Sequence, residues 1–598
     1  MPVAFDSSVT PYDAFAPYDG AADAWALHAR ITGRTPVWVV EVDLDWIADG
    51  AVTATNPDNS LCYRTPATTD QGAFTVGTKT RRFMTMSQRP IPELSAIPCV
   101  AAVGLGAEEL RVGEAMSYFG QATVDLVDFV DDDRRAEDPF ATDTSRSGLD
   151  LKAGSYFSKL LARNPYWTGR KIRIVEGFAT DGVWYPADSI THTYYVRDIQ
   201  GPSDGKVRIT AAGPLQLLNL ESAEAPAPSE GTLAADITAA ATTATLSDAV
   251  IAGDYPASGT LRIGDEVMTY TRSGVTLTIT RAQLGTVAAT HQAGDAVQWC
   301  LVYSSQQIDA IIADLLTTYG GVDAGDLDTA GWATEFTEYL STYILSAAIT
   351  QPTKIIDLVR ELCNAAGILV WWDDVAGKVR MRAIRTAMQS DTIWNDRLHL
   401  MTRPVVRRDP TARVSRTDIC MDLRSAALDP TDASSYRFRL VGIPQGDGAT
   451  EHGSERLMLL ASRWLAVSQV LLAERAAYLM TLQLRDGRQT IVVEVAAKDA
   501  AANLGDAIIL ESADLVDRTG QPRQVKCVAV KREALMAGSR YRFTLQPLPY
   551  AQRVCFLTDV SLADYDAGTS AEHAKWGYLA AATRPYFTDN TDAYIIVE

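Results

Sequence analysis

"GTLRIGDEVMTYTRSGVTLTITRAQLGTVAATHQAGDAV", from Gly259 to Val297, reads as a small β-domain complete in itself. Leu261, Ile263, Val267 and Tyr270 supply an apolar face, and Gly264-Asp265 between them lets the strand turn or bulge. Ser273-Gly274 predicts a tight turn into "VTLTIT", where Leu277 and Ile279 alternate with threonine. Gly285 and Gly294 mark further turns. With its flanks the piece reaches about seventy residues, near the lower limit for closing an independent core. The proline-rich joint "SAEAPAPSEGT" (Ser222 to Thr232) leads into it. Residues 226–301 are therefore read as an inserted small β-domain, a peripheral cassette whose ends lie close together so that the host folds around them.

What surrounds the insert differs on its two sides. The chain has 598 residues, room for about three to five domains. Residues 1–34, rich in Ala, Asp, Pro and Tyr, form an N-terminal arm with a short helix near "AADAWALHARI". "TPVWVVEVDLDWI" (Thr35 to Ile47) puts Trp38, Val40, Val42, Leu44 and Trp46 on one parity and Val37, Val39, Glu41, Asp43 and Asp45 on the other, which predicts a half-buried strand. "QATVDLVDFV" and "RKIRIVEGF" continue a β-rich region over 35–225.

Beyond the insert, "SSQQIDAIIADLLTTYGG" predicts a helix capped at Ser304-Ser305 and ended by Gly321. "QPTKIIDLVRELCNAAG" predicts another, with Thr353 as cap and Gly367 as stop, and "ILVWWDDVAGKVRMRAI" a hairpin turning at Asp373, Asp374 and Gly377. These make an α/β unit over 302–390. Within 391–549, "SERLMLLASRWLAVSQVLLAERAAYLM" reads as a third helix, followed by the strands "RQTIVVEVAA", "DAIILES", "RQVKCVAVKREA" and "SRYRFTLQPL". Residues 550–598 form an aromatic, polar C-terminal extension. The class is α+β, predominantly β, in several domains.

Composition narrows the function. Hydrophobic residues at 47 % rule out disorder of the whole chain. A net charge of −20 and a pI near 4.8 argue against tight nucleic-acid binding, which needs clustered Lys and Arg. Such a chain can still lie beside DNA without adhering to it. "MPVAFDSSVTPYDAFAPYDG" lacks the basic start and apolar core of a signal peptide, and "GILVWW" (Gly367 to Trp372) is too short to span a bilayer. A soluble protein made in the cytosol is expected. The seven cysteines, at 62, 99, 300, 363, 420, 527 and 555, form no CxxC and are odd in number, so reduced, buried thiols are expected.

No motif makes a case for catalysis. Asp131, Asp132 and Asp133 offer hard oxygen ligands, but no calcium-loop pattern frames them and Arg134 and Arg135 follow at once, so they read as a solvated turn. His28, His192, His291, His399, His452 and His573 show no metal-pair spacing and read as surface or packing residues. G-x-S-x-G and Walker A patterns are absent, and "GLGAEE" (Gly104 to Glu109) lacks the third glycine of a dinucleotide fingerprint. Cys363 reads as helix core. Trp371 and Trp372 face opposite ways on a strand, one into a core and the other against a neighbouring element or subunit. No catalytic, cofactor-binding or metal-ligating residue is assigned, and no cofactor is expected.

Five stretches together resemble baseplate hub or tail-tip proteins of long-tailed bacteriophages, of the siphophage type. They are "GSYFSKLLARNPYWTGRKIRIVEGF" with "YYVRDIQGPSDGKVRITAAGPLQLL"; the insert, through "IGDEVMTYT", "LTITRAQLGT" and "HQAGDAV"; the hairpin "ILVWWDDVAGKVRMRAI"; "LGDAIILES" with "DRTGQPRQVKCVAVKREA"; and the C-terminal "RVCFLTDVSLADYDAG" onward. The resemblance spans roughly 35–598. It implies tube-like β-domains and a virion structural role: a homotrimeric hub closing the tail tube, part of the DNA-ejection channel. Implied partners are neighbouring tail-tube or distal tail proteins and tail fibres or a central spike, with DNA passing unbound and no integral membrane segment. This sequence has no long fibre-like region after Pro547, which puts receptor binding by this chain in doubt. The alternative is a tail-associated receptor-binding protein or a glycan or cell-wall hydrolase.

Overall fold

The structure, a computed structural model, describes all residues except 1–34, 48–75, 87–90, 92–93, 107–108, 111–119, 131–153, 165, 181–182, 185–188, 221, 342, 386–387, 389, 391, 443–452, 517–519, 537–538, 549–553, 558–575, 578–594 and 597–598. Strand dominates it, in several sheets. The class expected from sequence is the class found.

The first unit is a closed barrel. Its strands are β1 (Thr35–Ile47), β2 (Val76–Thr85), β3 (Ile97–Leu105), β4 (Gln121–Val127), β5 (Lys171–Thr180), β7 (Ile190–Ser203) and β8 (Lys206–Ala212). They follow the order β1-β2-β3-β4-β8-β7-β5, and antiparallel pairing of β1 with β5 closes the ring; β6 (Val183–Trp184) hangs on the end of β5. Closure removes the open edges that a long sheet would otherwise expose. Val40, Val42 and Leu44 of β1 enter the barrel core with Phe83, Ile172 and Ile209. The first helix described, α1 (Tyr156–Arg163), adds Tyr156, Phe157 and Leu160 to that core.

On the other parity of β1 the expectation of a solvated face holds only in part. Val37 and Val39 are buried in a second cluster with Met84 and Trp184. Glu41 and Asp43 are tied to the neighbouring strands: Arg173 of β5 reaches Asp43 at 2.7 Å and Glu41 at 2.9 Å, and Arg82 of β2 reaches Glu41 at 2.7 Å. The strand that closes the ring is thus cross-linked by charge on its outer face.

β9 (Glu224–Ala225) leads to the insert. There β10 (Thr243–Thr245), β11 (Ser258–Ile263), β12 (Glu266–Ser273) and β13 (Thr276–Thr280) assemble with β14 (Val297–Gln307) in the order β10-β13-β12-β11-β14. Leu261, Ile263, Tyr270, Leu277 and Ile279 meet in one small core, as their alternation requires. The second turn lies one residue later than expected. Ser273 pairs with Thr276, which leaves Gly274-Val275 as the turn, and Gly274 takes a φ of 60°.

Strand β14 does not stop with the insert. Its first half pairs with β11 and its second with β15 (Ile344–Ile349). This corrects the reading of Ser304-Ser305 as a helix cap: both serines lie in β14, at a bulge between Tyr303 and Gln306 where Ser305 has a φ of 51°. Helix α2 (Ile308–Asp314) starts after Gln307 and runs into a π-helical turn at Leu315–Tyr319. Thr353 is likewise no cap. It belongs to β16 (Thr353–Lys354), which pairs with β9, and α4 (Ile355–Ala366) begins behind it. Between α2 and α4 lies α3 (Thr329–Tyr339). Gly367 stops α4 as expected, with a φ of 64°.

The hairpin is β17 (Ile368–Asp373) and β18 (Lys378–Ala383). Its inner face, Val370, Trp372, Val379 and Met381, joins α2 and α4 in the largest core. β19 (Ile393–Asn395) and β20 (Val405–Asp409) lie on opposite edges of a six-stranded sheet with β24 (Arg488–Ala496), β25 (Ala507–Val516), β26 (Pro522–Met536) and β27 (Arg540–Pro547), in the order β19-β25-β26-β27-β24-β20. Trp394 packs on Phe543 in its core, ring centroids 4.9 Å apart.

In the chain between β20 and β24, β21 (Arg416–Leu423), β22 (Tyr436–Gly442) and β23 (Leu457–Ala461) form a small sheet. Here the expected third helix is half wrong. Leu457–Ala461 pairs in parallel with β21, and α5 spans only Val470–Leu484. The last strands described, β28 (Val554–Leu557), β29 (Trp576–Gly577) and β30 (Ile595–Ile596), pair among themselves.

Candidate functional site

One parity of β5 connects two cores. Ile172 and Ile174 face the barrel core, Phe178 reaches the core of the six-stranded sheet, and Glu176 lies between them. Across the ladder His192 of β7 stands opposite Ile174, on the same face. Glu176 and His192 are buried polar groups, so they need partners brought from elsewhere.

The partners come from two other units. The hairpin turn supplies Asp374, whose Oδ2 lies 2.7 Å from His192 Nδ1 and accepts a hydrogen bond from Tyr194 OH at 2.6 Å. His192 Nε2 lies 3.8 Å from Glu176 Oε2. The six-stranded sheet supplies Tyr541, whose OH donates to Glu176 Oε1 at 2.6 Å. Backbone bonds fix the same junction: Thr193 N–H donates to Asp374 O at 2.8 Å, and Trp372 Nε1–H donates to Thr193 O at 2.9 Å. Glu109 and Lys531 form an antiparallel backbone bridge, and Leu110 N–H donates to Val530 O at 2.8 Å, a further link from barrel side to sheet. A cleft of about 50 Å³ adjoins the cluster, bordered by His192, Asp374, Arg532 and Tyr541.

Electrostatics set the state of the joint. Burial alone would strip the proton from His192, but Asp374 and then Glu176 outweigh it and push the imidazole up to about 9. Burial likewise works against the Asp374 carboxylate, and the His192 charge with the Tyr194 bond brings it down to about 2. At neutral pH the ring is an imidazolium between two acids. It has no lone pair with which to take a proton, so it is not poised as a general base. The arrangement suits a charged joint.

A second buried triad lies in the insert. Glu266 is ion-paired with Arg281 at 2.6 Å, lies 3.0 Å from His291 Nε2 and accepts from the N–H groups of Ala282 and Ala289. Burial opposes this charge, yet Arg281 and the other donors bring the carboxyl down to about 2. The triad folds the loop 281–291 back on β12.

Of the residues weighed from sequence, Asp131 to Asp133, His28, His452 and His573 lie outside the described residues. His192 and His291 are interior, each beside a carboxylate in one of the two clusters, and His399 Nδ1 accepts from Asn395 N–H at 3.2 Å. Gly104 lies in β3. Cys99, Cys300, Cys363, Cys420 and Cys527 are buried thiols, and burial raises Cys363 far above the usual thiol range. Trp372 enters the main core, and Trp371 is covered by Leu110 and Val530 of the same chain. Among the described residues no three or more His, Cys, Asp or Glu side chains are grouped to hold a metal ion, and no helix is long and apolar enough to cross a membrane. The joint went unseen in the sequence, although a signal was there: Glu176 and His192 interrupt the otherwise apolar parities of "IRIVEGF" and "ITHTYYV".

No protein-family model matches the chain, and no curated protein does. Among solved structures it is similar to the 43 kDa tail protein of prophage MuSo2 from Shewanella oneidensis, at 12 % identity over 75 % of this chain and 93 % of that one, with a TM-score of 0.34. It is similar to the prophage tail protein gp18 from Listeria monocytogenes EGD-e at 9 % identity over 64 % and 86 %, TM-score 0.28. A chain in the virion of a native gene transfer agent particle matches at 13 % identity over 46 % and 80 %, TM-score 0.16.

Proposed function

We propose that this chain is a structural protein of a bacteriophage tail, and within the tail a baseplate hub at the tip. The observation that carries the reading is the barrel with its charged joint. A closed ring whose interior is filled by side chains encloses no ligand. It offers instead a firm unit for stacking on the end of a tube. The joint ties that ring to the hairpin unit and to the six-stranded sheet through buried charges. The five stretches that resemble tail-tip hubs fall in these units, in the insert and in the C-terminal segment.

In this reading three copies surround the tail axis, and the channel runs between subunits. The net charge of −20 keeps passing DNA from adhering to its walls. Neighbouring tail proteins bind above, and fibres or a spike bind below. The insert projects from the ring. An image of the native oligomer tests this: a three-fold axis with interfaces of about 2,000–5,000 Å² or more is expected, and a strictly monomeric copy in the particle overturns it. Release of fragments from cell-wall glycan by the purified protein, abolished by one Asp or Glu substitution, would favour the hydrolase alternative.

A further inference from the structure

The outer face of the β17–β18 hairpin carries Leu369 and Trp371 on one strand and Arg380 and Arg382 opposite them. Two of the nearby cations have acids. Arg380 pairs with Asp328 and Asp373, and Arg385 pairs with Glu335. Arg382 has no carboxylate at ion-pair distance among the described residues. Its guanidinium lies 5.7 Å from the centre of the Trp371 ring and donates to the Gly505 carbonyl. Two further donors beside it, Trp371 Nε1–H and Arg385 Nε–H, are buried and meet no acceptor among the described residues.

Arg382, Trp371 and Arg385 line one cleft with Gln483, Gln546 and apolar side chains such as Leu110, Val530 and Leu548. Its volume is about 50 Å³. That is several times what one water needs, roughly 10–15 Å³, and far below the ~150 Å³ that admits benzene. The space fits a short unbranched side chain. Its donors and its unpaired cation call for an anionic acceptor. Its apolar walls call for methylene groups behind that acceptor and for apolar neighbours along a chain.

We propose that this cleft receives a glutamate or aspartate side chain from an extended, otherwise apolar segment of a neighbouring protein. The carboxylate meets Arg382 beside the Trp371 indole, and the flanking residues cover the apolar walls. The inference is independent of the tail reading, since it rests on the cleft alone.

The test uses the full chain with labelled indole nitrogens and follows the Trp371 resonance, assigned with Trp371→Phe. The probes are acetyl-Leu-Glu-Leu-amide, its Gln counterpart and butyrate. The Glu peptide should shift that resonance saturably, and the Gln peptide should bind at least about tenfold more weakly, as loss of a charge-assisted bond implies. Arg382→Gln should cost the Glu peptide a similar factor, with part of it restored by Arg382→Lys. Equal binding of the two peptides, affinity unchanged in Arg382→Gln, or no shift at millimolar peptide overturns the proposal. Butyrate binding as tightly as the Glu peptide overturns the choice of a protein segment as occupant.

Discussion

Raising the pH should unlock the joint at His192. The imidazole is held at about 9 in the folded chain, against about 6.5 when unfolded. A group raised in this way gives stability that is fully present below about 6.5 and is lost as the pH climbs through 9. The difference corresponds to about 3 kcal/mol at ~1.36 kcal/mol per pH unit. His192 is only 5 % exposed, so solvent screening takes little from that figure. Asp374, held at about 2, expresses the same attraction from its other end and is not counted twice; its contribution is present above about 3.8 and fails only as the pH falls through 2. Two measurements check this. Carbon-13 labelling of histidine, with the signal assigned by His192→Gln, should show a ring titrating near 9. Amide exchange over β7 and the hairpin, corrected for intrinsic rates, should show the free energy of opening falling by about 3 kcal/mol between pH 6.5 and 10 in the native chain and staying flat in His192→Gln. A ring that titrates between 6 and 7, or native and variant chains that run parallel over that interval, would refute the reasoning.

In the insert, Glu266→Gln leaves Arg281 buried without its carboxylate, and the local stability should drop by about 3–5 kcal/mol; faster amide exchange over 266–291 with β7 unchanged is the expected pattern. Acid should act there too: with Glu266 held at about 2, its contribution persists above about 4.5 and is lost as the pH falls toward 2, so exchange over the same loop should rise on acidification. Replacing Ala227 to Gln298 by a short Gly-Ser linker should leave a soluble, folded chain, since Gln298 Nε2–H donates to Ala227 O at 3.0 Å and the two ends already touch; insoluble product would assign the stretch to the main core. Gly367→Ala forces a side chain into a left-handed backbone and should cost about 1 kcal/mol in denaturant unfolding.

What could be read beforehand was local. The turn at Gly377 and the alternation of Val370, Trp372, Val379 and Met381 announced the hairpin, and the insert announced its strands in the same way. Leu457–Ala461 misled because a short apolar run carries no period, and Leu and Met favour helix; parallel pairing with β21 decided the matter. Ser304 and Ser305 have the chemistry of caps, but they form the bulge of β14 beside β15, where Ser305 N–H donates to Ser346 Oγ at 2.8 Å. The joint was hidden for a different reason. His192 and Asp374 are 182 residues apart, and no spacing rule links a strand residue to a distant turn. A polar residue on an apolar parity says that a partner exists without saying where.

The contact between Glu176 and Tyr541 also orders events in time. Its two residues are separated by 365 positions. At roughly 5–20 residues per second of synthesis, that separation takes on the order of 20–70 seconds. The barrel strands leave the ribosome first, and their buried carboxylate waits through that interval for the tyrosine that satisfies it. The insert draws its core from 233–297 alone, so it can fold during the wait. Newborn chains thus pass through a stage in which the ring is formed and one of its walls is still unpaid for in hydrogen bonds, and it is then, before Tyr541 emerges, that the chain is most exposed to the wrong partner.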